Sequence, residues 1–365
     1  RKIINKTIKI SKNQLCRRKL LEYIYGGIGV VDIVGYDILE DGGLRYAWKD
    51  ARFKKCIESA AFINRSKGKL EDICGYTTSV SSGCILRTQG NQCAFCRTGN
   101  VLPFGGLLTY KEIAKQNIFM VLSDIYCEDH PELHNKKREF AYMGQGEPGY
   151  SYSQVRMAIE LTNTVMRELN QQVYRHIFAT CGIPEAVDNY MSDVQHYFTE
   201  RVTLHLSLHV AGDRDLIMPI NKLYPIEETV KKVNQVAEVS GEKPCVGIML
   251  FNNFRPKGKT FSYTNSVEMV MEILKKLNPG KCRLSFCEYN SSDEIGEADE
   301  YPQELVGKLL ETVREYGFEA KHFSSYGRKK MTACGMLGSK EPEKLASKKW
   351  LELNALADEL IAKNV

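Results

Sequence analysis

No apolar run in this 365-residue sequence approaches the roughly 20 residues needed to span a bilayer, which excludes a membrane-helix protein. No charged start followed by an apolar core leads the chain, so no secretory signal peptide is read. Twelve cysteines over this length fall well below the density of a disulfide scaffold. The expected compartment is a reducing cytoplasm, where free thiols persist and clusters assemble. Low-complexity segments are absent, and no G-x-G-x-x-G follows the first strand, which argues against a dinucleotide-binding sheet. What is present is 43% apolar residues, enough to bury a large core in one large α/β domain with an appendage or in two domains. Fifty Lys and Arg against 45 Asp and Glu leave a net charge of +5, which permits contact with nucleic acid without requiring it.

The chain is organised around Gly83 to Gly99, GCILRTQGNQCAFCRTG, where Cys84, Cys93 and Cys96 crowd together. A structural zinc site wants a fourth ligand nearby, yet no C-x-x-H or second C-x2-C follows within the next thirty residues. Thiolates also ligate iron–sulfur clusters, and a cubane held by three of them leaves one iron free to take a substrate or cofactor. From these residues alone a cluster, a zinc ion and a group of free thiols all stay open.

Along the chain, residues 1–40 form a short extension that begins basic, with Arg17, Arg18 and Lys19, and then turns apolar. Residues 41–72 alternate apolar and polar positions between turn formers, which predicts a β-hairpin. From there to about residue 340, short apolar strands alternate with amphipathic helices, the rhythm of parallel β/α units. Strands are expected at Ile73–Val80, Phe140–Gly144, His176–Thr180, Val202–His209, Pro244–Phe251, Cys282–Tyr289 and Glu319–Ser324. Helices are expected at Tyr110–Tyr126, Tyr152–Gln171, Ile226–Ser240, Ser266–Leu277, Gln303–Tyr316 and, closing the chain, Glu341–Ala362. Six or seven such units favour a full or partial barrel, with function at the C-terminal strand ends.

At those ends stand the cysteine loop, YMGQGEP (142–148), HLSLHVAGDRDLIMPINKLYP (205–225) and Asn290 in CEYN, and near the C-terminus comes TACGMLG (332–338). Taken in this order with VSSGC (80–84) and CAFCRTG (93–99), the chain resembles the radical S-adenosylmethionine methyltransferases of the RlmN/Cfr family, which act on carbon 2 or 8 of adenosine in RNA. The resemblance implies a partial (β/α)6 radical SAM barrel, here with a short N-terminal extension, a β-hairpin and a C-terminal helix. It implies that Cys84, Cys93 and Cys96 hold a [4Fe–4S] cluster whose open iron chelates S-adenosylmethionine, and that reductive cleavage yields a 5′-deoxyadenosyl radical. Gly146 and Glu147 then face the methionyl amine, while Ser207, Leu208, His209 and Asn290 line the cofactor. Cys334 is the methyl-carrying cysteine, a thiolate nucleophile. Glu58 corresponds to the proton acceptor. Implied partners are ribosomal or transfer RNA, engaged through basic surface such as Arg17, Arg18 and Lys19 or Arg328, Lys329 and Lys330, and an electron donor such as flavodoxin or ferredoxin.

Three departures matter. The first gap of the cysteine motif is eight residues, Ile85 to Gln92, where the family has three, so the loop must bulge. Ser79 stands where the family carries a second catalytic cysteine, and Cys74, five residues earlier, replaces it only if its strand shifts or bulges. The family's helical accessory domain also exceeds the residues found before the hairpin. These departures keep a second expectation open, a relative acting on a peptide or small metabolite. A zinc-stabilised RNA-binding barrel is a third.

Overall fold

The computed structural model describes residues 31–39, 42–50, 52–53, 55–66, 69–323, 336–338 and 340–365. Eleven strands form one sheet: β1 (Asp32–Ile38), β2 (Leu44–Lys49), β3 (Ile57–Ser66), β4 (Lys69–Thr77), β5 (Lys137–Tyr142), β6 (Val173–Thr180), β7 (Val202–His209), β8 (Cys245–Leu250), β9 (Arg283–Glu288), β10 (Glu319–Phe323) and β11 (Lys344–Leu345). The spatial order is β10-β9-β8-β7-β6-β5-β4-β3-β2-β1-β11. β1 to β4 pair antiparallel, and from β4 to β10 every neighbour is parallel. From β1 to β10 neighbours in sequence stay neighbours in space with no reversal, so the sheet winds in one direction, as a barrel wall does; a doubly wound sheet turns back at a switch point.

The sequence of β7, VTLHLSLH, explains the curvature. Val202, Leu206 and Leu208 are buried on one side, whereas Thr203, His205, Ser207 and His209 line a cavity on the other, which Leu204 also touches. The same period of two places Gly75 and Thr77, Glu139 and Ala141, Arg175, Ile177 and Ala179, and Arg283, Ser285 and Cys287 along that cavity. Parallel strands flat between two helix layers read as continuous apolar runs. Alternation here means that one face looks into an open lumen.

Helices cover the other face: α1 (Tyr110–Ile125), α2 (Tyr152–Glu168), α3 (Pro184–His196), α4 (Ile226–Ser240), α5 (Val267–Leu274) and α6 (Gln303–Glu315), with α7 (Lys348–Lys363) last. Thr109 and Glu112 cap α1 reciprocally. The sequence reading omits α3, although Pro184 in its first turn and the buried Ala186, Val187 and Tyr190 at helical spacing mark it. It also begins the last helix too early. Around Pro342 the chain instead extends, β11 pairs with β1, and α7 starts only after Ser347, whose hydroxyl accepts from the Trp350 N–H at 3.3 Å. That pairing requires a glycine at Gly35, where a Cβ would lie 2.2 Å from the Lys344 carbonyl oxygen. β1 itself lies in the stretch read as extension. Among the described residues no helix is long and apolar enough to cross a membrane.

One buried ion network ties the two chain ends together. Arg45 on β2 pairs with Asp37 on β1 at 2.6 Å and with Glu58 on β3, all three inaccessible to solvent. Arg45 also donates to the carbonyls of Lys340 at 2.8 Å and Glu341 at 3.3 Å, and the Glu343 N–H donates to Asp37 at 2.6 Å. Removing one partner of a buried pair leaves the other charge uncompensated. Arg45→Met is therefore expected to lower stability by about 3–5 kcal/mol, read as a fall in the urea midpoint by far-ultraviolet circular dichroism. An unchanged midpoint would remove this network from the stability of the leading strands.

Candidate functional site

The lumen holds a cavity of about 560 Å³ walled by all seven parallel strands. Cys84, Cys93 and Cys96 line it together, on a loop whose local chemistry explains how an eight-residue gap brings them back to one place. Gly83 enters the loop at φ +73°, where a Cβ would lie 2.4 Å from the Pro103 carbonyl oxygen. Ile85–Gln89 then make a 3₁₀ helix ended by Gly90 at φ +69°, and the Asn91 N–H donates back to the Leu86 carbonyl at 2.9 Å. The extra residues thus fold into a turn of their own, the expected bulge. The Asn100 amide donates to the carbonyls of Cys93 and Cys96, each at 2.8 Å, and the Ala94 N–H donates to Ile217 at 2.8 Å.

Burial pushes all three thiols up, and Cys93 is raised further by Cys96 and Cys84. Left to the protein they stay protonated; a metal centre draws their protons off. Among the described residues no three His, Cys, Asp or Glu side chains converge tightly enough for a single metal ion. A tetrahedral zinc with sulfur at about 2.3 Å needs that convergence, whereas a cluster brings iron and sulfide that bridge a wider gap. Three thiols on one loop are a donor set that an iron–sulfur cluster takes.

Beside the thiols, the Gly144–Pro148 turn follows β5. Gly146 takes φ +106°, and a Cβ there would lie 2.2 Å from the Ser81 hydroxyl. Glu147 accepts from the Thr180 hydroxyl at 2.6 Å, the Gly149 N–H at 2.8 Å and the Cys181 N–H at 3.0 Å. Glu147 itself lines the cavity, where the Cys181 thiol is also a hydrogen-bonding neighbour. His209 ends β7 at φ +56°, its ring edge-on to Phe95 at 5.5 Å. Burial lowers its pKa to about 3, so the ring is neutral, and its Nδ1 is buried with no hydrogen-bond partner among the described residues. An orphaned ring nitrogen in a cavity wall marks a place for a missing polar partner. The opposite end of the lumen is charged, with the Glu139–Arg175 pair at 2.5 Å beside Arg283 and Lys321.

Other expected residues lie elsewhere. Leu208 alternates to the helix side and is fully buried there, so it can offer the cavity only backbone. Asn290 is buried beyond β9 and is not among the lining residues. Cys74 points between β4 and α1, where burial and then Asp124 raise its pKa to about 12. The β4–β5 register runs unbroken from Ile73 to Thr77, while the β3–β4 register shifts just past the Ile63–Cys74 pair, and Cys74 is not among the residues lining the cavity. Ser79 does not line the cavity either; its hydroxyl donates to the Glu58 carbonyl and accepts from the Gln145 N–H at 2.8 Å. Glu58 likewise stands behind the wall, its carboxylate held by Arg45, by the Gln145 amide at 3.2 Å and by the Lys340 N–H at 3.3 Å. From there its carboxylate braces the Gly144–Pro148 turn through the Gln145 amide. Cys334 lies outside the described residues, as do Arg17, Arg18, Lys19, Arg328, Lys329 and Lys330. Sequence reasoning passed over Phe95, Cys181 and Arg214. Cys181 lines the cavity and bonds Glu147, and its only signal was its position just past the end of β6.

No protein-family model matches the chain. The chain is 25% identical over 345 residues, 92% of its length and 86% of the other's, to a probable dual-specificity RNA methyltransferase RlmN of Dictyoglomus turgidum. It is 23% identical to the dual-specificity RNA methyltransferase RlmN of Pseudomonas fluorescens, over 84% of this chain and 73% of that one. The crystal structure of a radical SAM methyltransferase from Sphaerobacter thermophilus shares the fold with a TM-score of 0.66 at 20% identity, covering 91% of this chain and 87% of that one. The similarity runs through nearly the whole chain and the fold is shared with a radical SAM methyltransferase, which together support a divergent protein resembling the RlmN/Cfr family.

Proposed function

We propose that the protein binds a [4Fe–4S] cluster through Cys84, Cys93 and Cys96, takes S-adenosylmethionine in the adjoining cavity, and methylates carbon 2 or carbon 8 of an adenosine in ribosomal or transfer RNA. The observation that carries this reading is that three thiols, a carboxylate and an orphaned histidine nitrogen share one cavity. When bound, the cluster and its cofactor supply a reductively generated carbon radical, and a donor such as flavodoxin or ferredoxin provides the electron. The protein's part is to hold, orient and shield. Glu147, fixed by Thr180 and two backbone N–H groups, presents its carboxylate to the methionyl ammonium. Ser207 and the neutral His209 are hydrogen-bonding groups on the adjacent strand end. Phe95 and Met249 keep water from that side of the wall.

Cys334 is the methyl carrier in this reading. Met336 and Leu337, the first described residues after it, are bonded to the cysteine loop: the Thr98 hydroxyl donates to the Leu337 carbonyl at 2.7 Å and Arg97 to that of Met336 at 3.4 Å. Leu337 also lines the cavity. RNA substrate is supported by the names of the similar proteins and by the net positive charge.

Protein reconstituted anaerobically with iron and sulfide is expected to hold a cluster, and Cys84→Ala, Cys93→Ala and Cys96→Ala each to lose most of the iron and the visible absorbance. Full iron retention in all three variants would sink the assignment. Incubation with methyl-deuterated S-adenosylmethionine should place one labelled methyl on the Cys334 peptide, read by mass spectrometry; an unlabelled peptide in cluster-loaded protein excludes the carrier role. Binding of ribosomal or transfer RNA fragments should weaken steeply as salt rises. Absence of saturable binding at low salt, with Cys334 still labelled, redirects the chemistry to a peptide or small metabolite. Cys74→Ala should leave Cys334 labelling intact while lowering stability by about 1 kcal/mol, seen by thermal unfolding; lost labelling in the folded variant would return Cys74 to the mechanism.

A further inference from the structure

Arg214 is a buried guanidinium whose hydrogen-bond partners are all neutral. It opens the short helix Arg214–Ile217, is 5% exposed, and donates to the carbonyls of Leu208 at 3.3 Å and Cys181 at 3.0 Å and to the Asn221 side-chain oxygen at 3.1 Å. Among the described residues no carboxylate lies within ion-pair distance of it. Asp215 is reached only through Asn221, whose amide donates to it at 2.6 Å, and Glu147 only through the Cys181 peptide, whose N–H it accepts at 3.0 Å. Among the described residues the other buried or nearly buried guanidinium groups, Arg45, Arg52, Arg97 and Arg138, each meet a carboxylate directly. A cation taken out of water without an anion costs several kcal/mol, so the arrangement is incomplete as it stands.

The missing negative charge has a place. The carbonyl of Ile217, at the end of the Arg214 helix, accepts from the Ala94 N–H at 2.8 Å, between Cys93 and Cys96. The helix that carries the guanidinium is thereby fastened to the segment that carries two of the thiols. The thiols of Cys181 and Cys93 also act on Arg214 more strongly than Asp215 or Glu227 does.

We infer that Arg214 is the fixed positive charge that balances the thiolates of the cysteine loop, holding the loop in its metal-binding form and easing reduction of the cluster. The inference rests on the cluster reading proposed above and deepens it. One-electron reduction by a low-potential donor protein adds one negative charge to the cluster and changes no covalent bond to Arg214. A permanent cation close by stabilises the reduced state more than the oxidised one, in a low-dielectric surrounding that screens little. Arg214 is thus a positioning residue for the reaction.

The test compares wild type, Arg214→Lys and Arg214→Gln, each reconstituted anaerobically with iron and sulfide, by reductant titration followed with electron paramagnetic resonance. Arg214→Lys keeps the charge and should keep a potential near wild type. Arg214→Gln keeps a polar side chain without the charge and should be about tenfold harder to reduce, a shift of about 59 mV to more negative potential for a one-electron couple. Arg214→Gln with full iron content and the wild-type potential would overturn the inference. If the glutamine variant holds no cluster, iron content decides: retention in the lysine variant alone supports charge balance, and equal loss in both makes Arg214 a packing residue. Failure of wild type to take up iron is a separate outcome that removes the cluster reading itself.

Discussion

The ion pair between Arg45 and Glu58 is the contact on which the placement of the site depends. Glu58 faces Arg45 with one carboxylate oxygen and the Gln145 amide with the other, while the Ser79 hydroxyl joins the Glu58 carbonyl to the Gln145 N–H. Gln145 sits in the Gly144–Pro148 turn, so the turn that presents Gly146 and Glu147 to the lumen is braced from behind by the leading antiparallel strands. Low dielectric makes such a network strong when complete and costly when broken. The leading strands are therefore part of the site's foundation.

Much of this was legible in the chain. The alternation of β7, the cysteine spacing and the glycines of the Gly144–Pro148 turn each encode a local physical demand: one wet face, three convergent thiols, a backbone conformation a side chain would block. Seven parallel strands were placed to within a few residues, because their apolar runs are bounded by turn formers. What failed to show was long-range. Nothing near Glu58 announces that Arg45 and Lys340 will occupy its carboxylate, and an isolated Cys74 does not disclose which face of its strand it takes until the register with β5 is fixed. α3 was missed through its polar residues, and the start of α7 through a strand of two residues that exists only because β1 lies beside it.

The same distinction separates the two ends of the cavity. At one end, thiols, Glu147 and His209 stand in surroundings dry enough to push every thiol up and the histidine down. At the other, Arg175, Arg283 and Lys321 keep the lumen polar, and they add to the burial that lowers His205 to about 4. A dry end and a charged end are thus built on one curved sheet, through the side chains at alternate positions of its strands.

The pairing of β1 with β11 sets an order of assembly. Asp37 and Arg45 wait for partners some 300 residues further along the chain, at Lys340, Glu341 and Glu343. A ribosome adding about 5–20 residues per second takes roughly 15–60 s to deliver them. Throughout that interval Arg45, Asp37 and Glu58 have one another but lack the backbone groups that complete their hydrogen bonds. The parallel units between them can fold in order as they emerge. Their completed wall is then sealed by the final stretch of the chain, and a molecule truncated before residue 340 lacks the backbone groups that finish its beginning.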